Sequence, residues 1–284
     1  MFLWASDTRV ACLSFTSSIL LWQGYPDQAV ARSRAALAAA EELGHAHTTS
    51  HALYLSCWLH QVRGDVGTVR ERASAAMSLA AEHGFPLWVS SATVLHGRAL
   101  AAEGEVAAGV ARMRQGLAAH GPVGMQLQRP YFLGLLADVL TRAGDCAEAL
   151  DLLAQALAIV ERSEERCMEA ELHRLNGEAL LALSPVRWAE AEACYHRALA
   201  VARGQAARLW ELRAAVGLAR LWRGQGRPGE GHDLLAPVYG WFTEGFDTPD
   251  LKDAKALLDQ LASAPPGSRA RPRHHPAAPV KNPG

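Results

Sequence analysis

Apolar residues recur along this chain at spacings of three and four, and a glycine interrupts them at a period of twenty residues. The spacing is typical of amphipathic helices, with one face directed to a core. Only Glu164 and Ser184 break the period. A fixed internal period indicates an array of structural repeats. The glycines on the period are Gly24, Gly44, Gly64, Gly84, Gly104, Gly124, Gly144, Gly204 and Gly224.

Between the glycines the residues are good helix formers, and β-branched runs are scarce. Each periodic glycine is expected at a helix C terminus in the left-handed conformation, where a Cβ atom is penalised. The helices then form six consecutive pairs. They are predicted over Val10–Trp22, Asp27–Leu43, His47–Val62, Val66–His83, Leu87–Ala102, Val106–His120, Arg129–Arg142, Cys146–Arg162, Cys167–Leu183, Arg187–Arg203, Arg208–Arg223 and Pro228–Phe242.

The second helix of each pair carries small residues at matching offsets from its turn, for example Ala149 and Ala156 after Gly144. This resembles the tetratricopeptide pattern G-x-x-x-E-A-x-x-x-[FY]-x-x-A-L, with a period of about forty residues rather than thirty-four. The resemblance implies an all-α fold, a right-handed α-solenoid of about six antiparallel helix pairs. We expect residues 1–262 to form this array, with a capping helix at 249–261. Residues 263–284 form a Pro/Arg-rich tail that is predicted to be disordered.

The net charge limits the classes of partner that are expected, and the cysteine content indicates the redox state of the compartment. The formal net charge is −1, so neither nucleic acid nor a membrane is expected as a partner. Five cysteines without C-x-x-C spacing fit a reducing compartment. Asp7 and Arg9 interrupt any signal-peptide core, and no stretch reaches the ~18 apolar residues of a membrane span. We expect a cytoplasmic protein.

Catalytic motifs are missing from the sequence. Gly224–Gly229 spells G-x-G-x-x-G, but a predicted helix precedes it where a dinucleotide site needs a strand. No lysine precedes Lys252, so there is no phosphate-binding P-loop. His45, His47 and His51 lack a further ligand, and we interpret them as solvent-facing or capping side chains. We therefore expect no enzymatic activity, cofactor or metal.

Several stretches resemble one bacterial family more specifically: AELHRLNGEALLAL, AEACYHRALAVAR, LWELRAAVGLARLWRGQG and HDLLAPVYGWFTEGFDTPDLKDAKALLDQL. That family comprises multidomain signalling proteins with an adenylate/guanylate cyclase, an AAA/STAND ATPase and a C-terminal tetratricopeptide-like array. The resemblance extends from Asp7 to Leu261 and concerns the array alone. It implies no activity for any residue of this chain.

The tetratricopeptide resemblance also implies a binding surface. In such arrays the first helix of each pair lines the concave face, and its second, fifth, ninth and twelfth positions project into it. Aromatic and arginine side chains are enriched at energetically important interface positions. Carried over by register, the predicted protein-binding groove contains His51, Tyr54, Trp58, Arg98, Tyr131, Asp138, Glu171, Arg174, Glu178, Arg213, Arg220 and Arg223.

Two functional hypotheses follow. The first is a non-catalytic regulatory scaffold for signal transduction, which binds a protein or peptide on its concave face. The alternative is the C-terminal regulatory fragment of a larger cyclase, ATPase or ATPase-type transcriptional regulator, with catalytic domains upstream as possible partners. The aromatic segment Tyr239–Phe242 is expected to bury the junction between the sixth pair and the final helix.

Overall fold

The computed structural model describes residues 6–120 and 128–263, which form thirteen α-helices joined by short connections. One 3₁₀ turn, Pro185–Arg187, precedes the tenth helix. The helices are α1 (Thr8–Trp22), α2 (Pro26–Leu43), α3 (Ala46–Arg63), α4 (Val66–Glu82), α5 (Pro86–Ala102), α6 (Val106–His120), α7 (Arg129–Ala143), α8 (Cys146–Ser163), α9 (Glu169–Leu183), α10 (Trp188–Gly204), α11 (Arg208–Gly224), α12 (Pro228–Tyr239) and α13 (Pro249–Ser263).

This order confirms the predicted all-helical array of six pairs followed by one further helix. Helix α12 ends at Tyr239, three residues earlier than predicted, and it contains Pro237. The chain between α12 and α13 is irregular. Gly224–Gly229 lies at the turn between α11 and α12, as its helix–turn–helix interpretation requires. The predicted disordered tail lies outside the described residues, apart from Ser263.

The odd-numbered helices form the inner layer of the array. Each packs on the next odd-numbered helix, from α1 through to α13, and each even-numbered helix packs against the odd-numbered helices on either side of it. In a curved array the inner layer has the smaller radius, so its successive helices lie closer together than those of the outer layer. The contacts between odd-numbered helices therefore place them on the concave side. Helix α1 also contacts α11, so the array closes on itself.

At six positions of the period the glycine adopts the left-handed conformation, as predicted. Gly24, Gly44, Gly64, Gly84, Gly104 and Gly144 all have φ between 61° and 100°. Glu164 keeps the same left-handed conformation, at φ 57°, although its side chain makes that conformation costly.

At two periodic positions the prediction of a left-handed glycine is wrong. Gly204 and Gly224 are the last residues of α10 and α11, and the left-handed residues are Ala206 and Gly226. Both turns therefore lie two residues later than the period predicts. Gly124 lies outside the described residues.

Small residues bring paired helices together. Cβ atoms built on Gly97 of α5 and Gly109 of α6 would lie 2.7 Å and 2.6 Å from the other residue's carbonyl oxygen. Tyr195 of α10 fills the space beside Gly177 of α9 in its own pair and beside Gly217 of α11 in the next pair. The bulky Tyr195 side chain therefore packs both within its pair and against the next one.

Replacing Gly97 with alanine is expected to destabilise the protein by about 1–3 kcal/mol, because the methyl group would overlap backbone atoms of α6. Gly67 of α4 is a matched control, since a Cβ atom there has no neighbour within 4 Å. Gly67→Ala should leave the free energy of unfolding unchanged or raise it. Urea denaturation measures both, and equal stability of the two variants would contradict close packing of α5 on α6.

The displaced turn after α10 also makes a prediction. Ala206→Gly relieves a left-handed alanine, and Gly204→Ala fills a helical position with no neighbour within 4 Å. Each substitution should stabilise the protein by about 0.5–1 kcal/mol. Thermal denaturation tests both. Destabilisation by Gly204→Ala would place the left-handed residue at 204 instead.

Candidate protein-binding cavity

A cavity of about 260 Å³ lies among the C-terminal ends of α3 and α5, the inner faces of α7, α9 and α11, and the start of α13. Six arginines and five carboxylates line it, together with Tyr131, Trp210 and several leucines. We call it the central cavity. Its charged residues are Arg63, Arg98, Arg142, Arg174, Arg213, Arg220, Asp138, Glu171, Glu178, Asp250 and Asp253.

Glu171 is the best-connected carboxylate of the central cavity. The Arg174 guanidinium donates to both of its oxygens, at 2.7 Å and 2.8 Å, and Arg213 donates to one of them at 3.1 Å. Arg213 also donates to both oxygens of Asp250, at 2.8 Å and 2.9 Å. These bonds link α9, α11 and α13. Paired geometry of this kind gives strong, directional hydrogen bonds.

Burial and neighbouring charges act in opposite directions on Glu171. Burial by itself raises the pKa of the Glu171 carboxyl group, but Arg174 and Arg213 outweigh this effect and lower it to about 2. The carboxylates in turn raise the pKa of Arg174 and of Arg213, against the opposing effect of burial. All three groups are therefore charged throughout the physiological pH range.

A second carboxylate of the central cavity, Asp138 of α7, pairs with arginines of α5 and α7. Arg98 of α5 donates to one of its oxygens at 2.8 Å, and Arg142 donates to the other at 2.9 Å. The Asp138 side chain is largely buried, while that of Arg142 is 70% exposed. Arg142 therefore forms part of the accessible rim of the cavity.

Aromatic side chains occupy the inner face beside the central cavity. Trp58 and Tyr131 have ring centroids 5.7 Å apart, and the Tyr131 hydroxyl donates to Gln61. The Tyr54 hydroxyl donates to the Gln128 side chain at 2.8 Å. These contacts join α3 to α7 and fill the middle of the predicted groove.

His51 departs from its predicted environment. It is buried and stacked on Trp88 at 5.1 Å, so its interpretation as solvent-facing or capping is wrong. Burial, with a smaller contribution from His47, lowers the pKa of His51 to about 4, which keeps the imidazole neutral at pH 7. Among the described residues there is no group of three His, Cys, Asp or Glu side chains placed to hold a metal ion.

The predicted groove residues fall into three environments, and whether they bind a partner stays a prediction. His51, Tyr54 and Trp58 are buried side chains of α3 that do not line the cavity. Arg223 is exposed at the end of α11 and bonds to Gln260. The remaining eight line the central cavity: Arg98, Tyr131, Asp138, Glu171, Arg174, Glu178, Arg213 and Arg220.

Sequence reasoning missed several lining residues. Arg142 lies four residues after Asp138, a spacing at which oppositely charged side chains pair on a helix, so a signal for it existed. Asp250 and Asp253 belong to α13, which was considered only as a cap. Gln61 and Arg63 follow the last position counted on α3.

Solved structures of similar fold include three at low sequence identity. BtubC (BKLC) from P. vanneervenii has a TM-score of 0.51 and 15% identity, covering 97% of this chain and 100% of that chain. The apo form of RapI has a TM-score of 0.52 and 9% identity, covering 89% and 96%. A putative kinesin light chain from Podosopora anserina, with nearly identical TPR-like repeats, has a TM-score of 0.48 and 20% identity, covering 67% and 92%.

No family model matches the chain, and no curated protein matches it either. At such identities the structural likeness concerns the fold alone. The chain is a tetratricopeptide-like repeat solenoid. No helix within the described ranges is long and apolar enough to cross a membrane.

Glu171→Gln should destabilise the protein by about 3 kcal/mol at pH 7, because it leaves two arginines with a neutral partner in a buried site. Since the folded-state pKa of Glu171 lies below the unfolded value of 4.5, its contribution is complete above pH 4.5 and is lost as the pH falls toward 2. Urea denaturation of both proteins across this range should show the difference shrinking. Glu178→Gln, at a more exposed carboxylate, is the control, and an equal loss there would contradict the special role of Glu171.

Proposed function

We propose that this chain is a non-catalytic interaction module that binds a protein or peptide at the central cavity and its rim, in a signalling context. The observation that carries the proposal is the convergence of charged side chains from six inner helices on one cavity. Repeat solenoids use their concave surfaces for binding, and a site built from many repeats can read several features of one partner.

The exposure of individual side chains defines the accessible part of this site. Arg142 and Arg220 have side chains that are 70% and 47% exposed, and Asp253 is 46% exposed. The side chains of Arg174 and Glu171 are almost fully buried, and Glu171 links α9 to α11 through Arg213. A partner thus meets Arg142 and Arg220 first, and arginine at an interface centre commonly contributes strongly to affinity.

We further propose that the module regulates larger proteins of the cyclase–ATPase signalling type, as the C-terminal part of such a protein or alongside it. The support is the resemblance of residues 170–183, 191–203 and 209–261 to the arrays of that family. Reading the adjacent upstream DNA tests this proposal. An in-frame ATPase or cyclase domain would support it, and an upstream region that encodes neither on the same strand would count against it.

Cross-linking followed by mass spectrometry, with the purified chain added to extract of its own organism, tests partner binding at the central cavity. Arg142→Ala combined with Arg220→Ala should reduce partner cross-links at least about fivefold, the loss expected when interface arginines worth about 1 kcal/mol are removed. The control is Arg162→Ala, at an exposed arginine of α8 on the outer layer. Equal partner recovery from the double variant and the control would contradict the proposed site.

A further inference from the structure

The start of α2 is capped by a residue from the other end of the array. The backbone N–H groups of Asp27 and Gln28 donate to one Glu244 oxygen, at 2.9 Å and 3.1 Å, and the Gln28 side chain donates to the other at 3.0 Å. The residue before α2, Tyr25, provides no side-chain cap. A carboxylate at a helix N terminus satisfies unpaired N–H groups and interacts favourably with the helix dipole.

Aromatic rings from the segment after α12 pack against the same turn. A Cβ atom on Gly24 would lie 2.6 Å from the Trp241 ring and 2.9 Å from the Phe242 ring, so only glycine allows this approach. Tyr25 packs on Trp241 with ring centroids 5.4 Å apart, and the Arg208 guanidinium lies over the Trp241 ring at 5.3 Å. Trp241 therefore meets the first pair in addition to the apolar cluster of α11, α12 and α13 against which it packs.

The end of α3 forms the third part of this contact. Arg63 pairs with Asp247 at 3.1 Å, and Gly64 lies against Pro249 at the start of α13. Arg213 of α11 donates to the Val62 carbonyl oxygen at 2.6 Å. We call the whole set the clasp: residues 24–28 and 62–64 on one side, with Arg208, Arg213 and residues 241–250 on the other.

The clasp differs physically from the packing between neighbouring repeats. Residues far apart in the sequence form it, so each repeat keeps its own neighbours when the clasp is broken. The acidic partners of Arg63 in the clasp, Asp27 and Asp247, have side chains 54% and 70% exposed, and ion pairs to exposed groups contribute little. Opening the clasp gives up these pairs and the ring contacts at Gly24, while the helices and their packing on neighbouring repeats remain.

Arg213 connects the clasp to the central cavity. The same guanidinium bonds to Val62 across the clasp and to Glu171 and Asp250 in the cavity wall. Separation of α3 from α11 and α13 removes one wall of the cavity. It also frees part of the hydrogen-bonding capacity of Arg213 for another acceptor.

We propose that the clasp is a gate: it holds the array closed around the central cavity, and its opening controls the access of a partner to Arg174 and Arg213. This inference rests on the proposed function, because it describes regulation of the same site. The gate itself is measurable without a partner, so the two proposals fail in different experiments.

A wedge variant tests whether breaking the clasp opens the cavity. Gly245 has φ 73°, and a Cβ atom there would overlap the Pro26 ring. Gly84 has φ 71° with no atom within 4 Å of a built Cβ, so Gly84→Ala carries the same backbone strain without touching the clasp. Gly245→Ala therefore differs from Gly84→Ala by the wedge alone.

Phenylglyoxal, which reacts with accessible guanidinium groups, is the probe, and mass spectrometry reports its rate at each arginine. In the full-length chain, Gly245→Ala should raise the modification rates of Arg174 and Arg213 at least fivefold over Gly84→Ala. The rate at exposed Arg162 should stay the same, and circular dichroism should show the helices intact. Equal rates at Arg174 and Arg213 in the two variants would overturn the gate.

A locking variant tests the opposite direction and does not depend on the fold of the wedge variant. The Cβ position of Gly64 lies 3.8 Å from Pro249 Cβ, which suits a disulfide. In Gly64→Cys/Pro249→Cys, oxidation should slow modification of Arg174 and Arg213 at least fivefold relative to the reduced form of the same protein. Identical rates before and after verified oxidation would contradict a gate that opens in solution.

Partner cross-linking to the locked form separates the gate from the proposed function. If the gate exists, oxidation should reduce cross-links to the central cavity at least fivefold, and reduction should restore them. If oxidation protects Arg174 and Arg213 from phenylglyoxal but leaves partner cross-linking unchanged, the clasp opens in solution but partners bind elsewhere. That outcome contradicts the proposed binding site and the role of the clasp in controlling access to it.

Discussion

The contact of Gly24 with the rings of Trp241 and Phe242 is the constraint on which the shape of this protein depends. A stack of helix pairs is ordinarily open at both ends, and each pair contacts only its neighbours. Here the first pair also contacts the segment after the last one, so the curvature summed over six pairs has to bring the two ends together. The central cavity exists because the inner helices are held in this closed arrangement.

Ion pairs dominate the charge pattern of the inner face. Glu171 pairs with Arg174 and Asp138 with Arg142 within one helix, and Glu171 with Arg213 and Asp138 with Arg98 between neighbouring inner helices. Buried charges are tolerated when partners and hydrogen bonds compensate for lost hydration. The inner layer is therefore largely neutralised internally, while the rim residues Arg142 and Arg220 stay exposed.

The sequence predicts the helices and their pairing well because both depend on local signals. Glycines at 24, 44 and 64 end helices whose backbone needs a left-handed residue, and that need is met within one turn. The period gives a wrong position at Gly204 because the turn after α10 lies two residues later. There Ala206 adopts the left-handed conformation, and an alanine in the sequence does not indicate that conformation.

The clasp and the burial of the groove could not be predicted in the same way. Whether two ends of a solenoid meet depends on small rotations at every repeat, and no residue pattern reports their sum. The segment Tyr239–Phe242 was recognisable as apolar, but its partner lies more than two hundred residues away in the sequence. His51 likewise reads as a surface histidine until α5 places Trp88 against it.

Closure in solution is most directly tested by nuclear Overhauser contacts between the Gly24 Hα protons and the ring protons of Trp241, in protein with labelled tryptophan and glycine. The closed array predicts a strong cross-peak and an upfield ring-current shift of the Gly24 protons, both of which disappear in Trp241→Ala. A wild-type spectrum of folded protein with no such contact would show that the first and last repeats are apart. It would contradict the closed arrangement of the array.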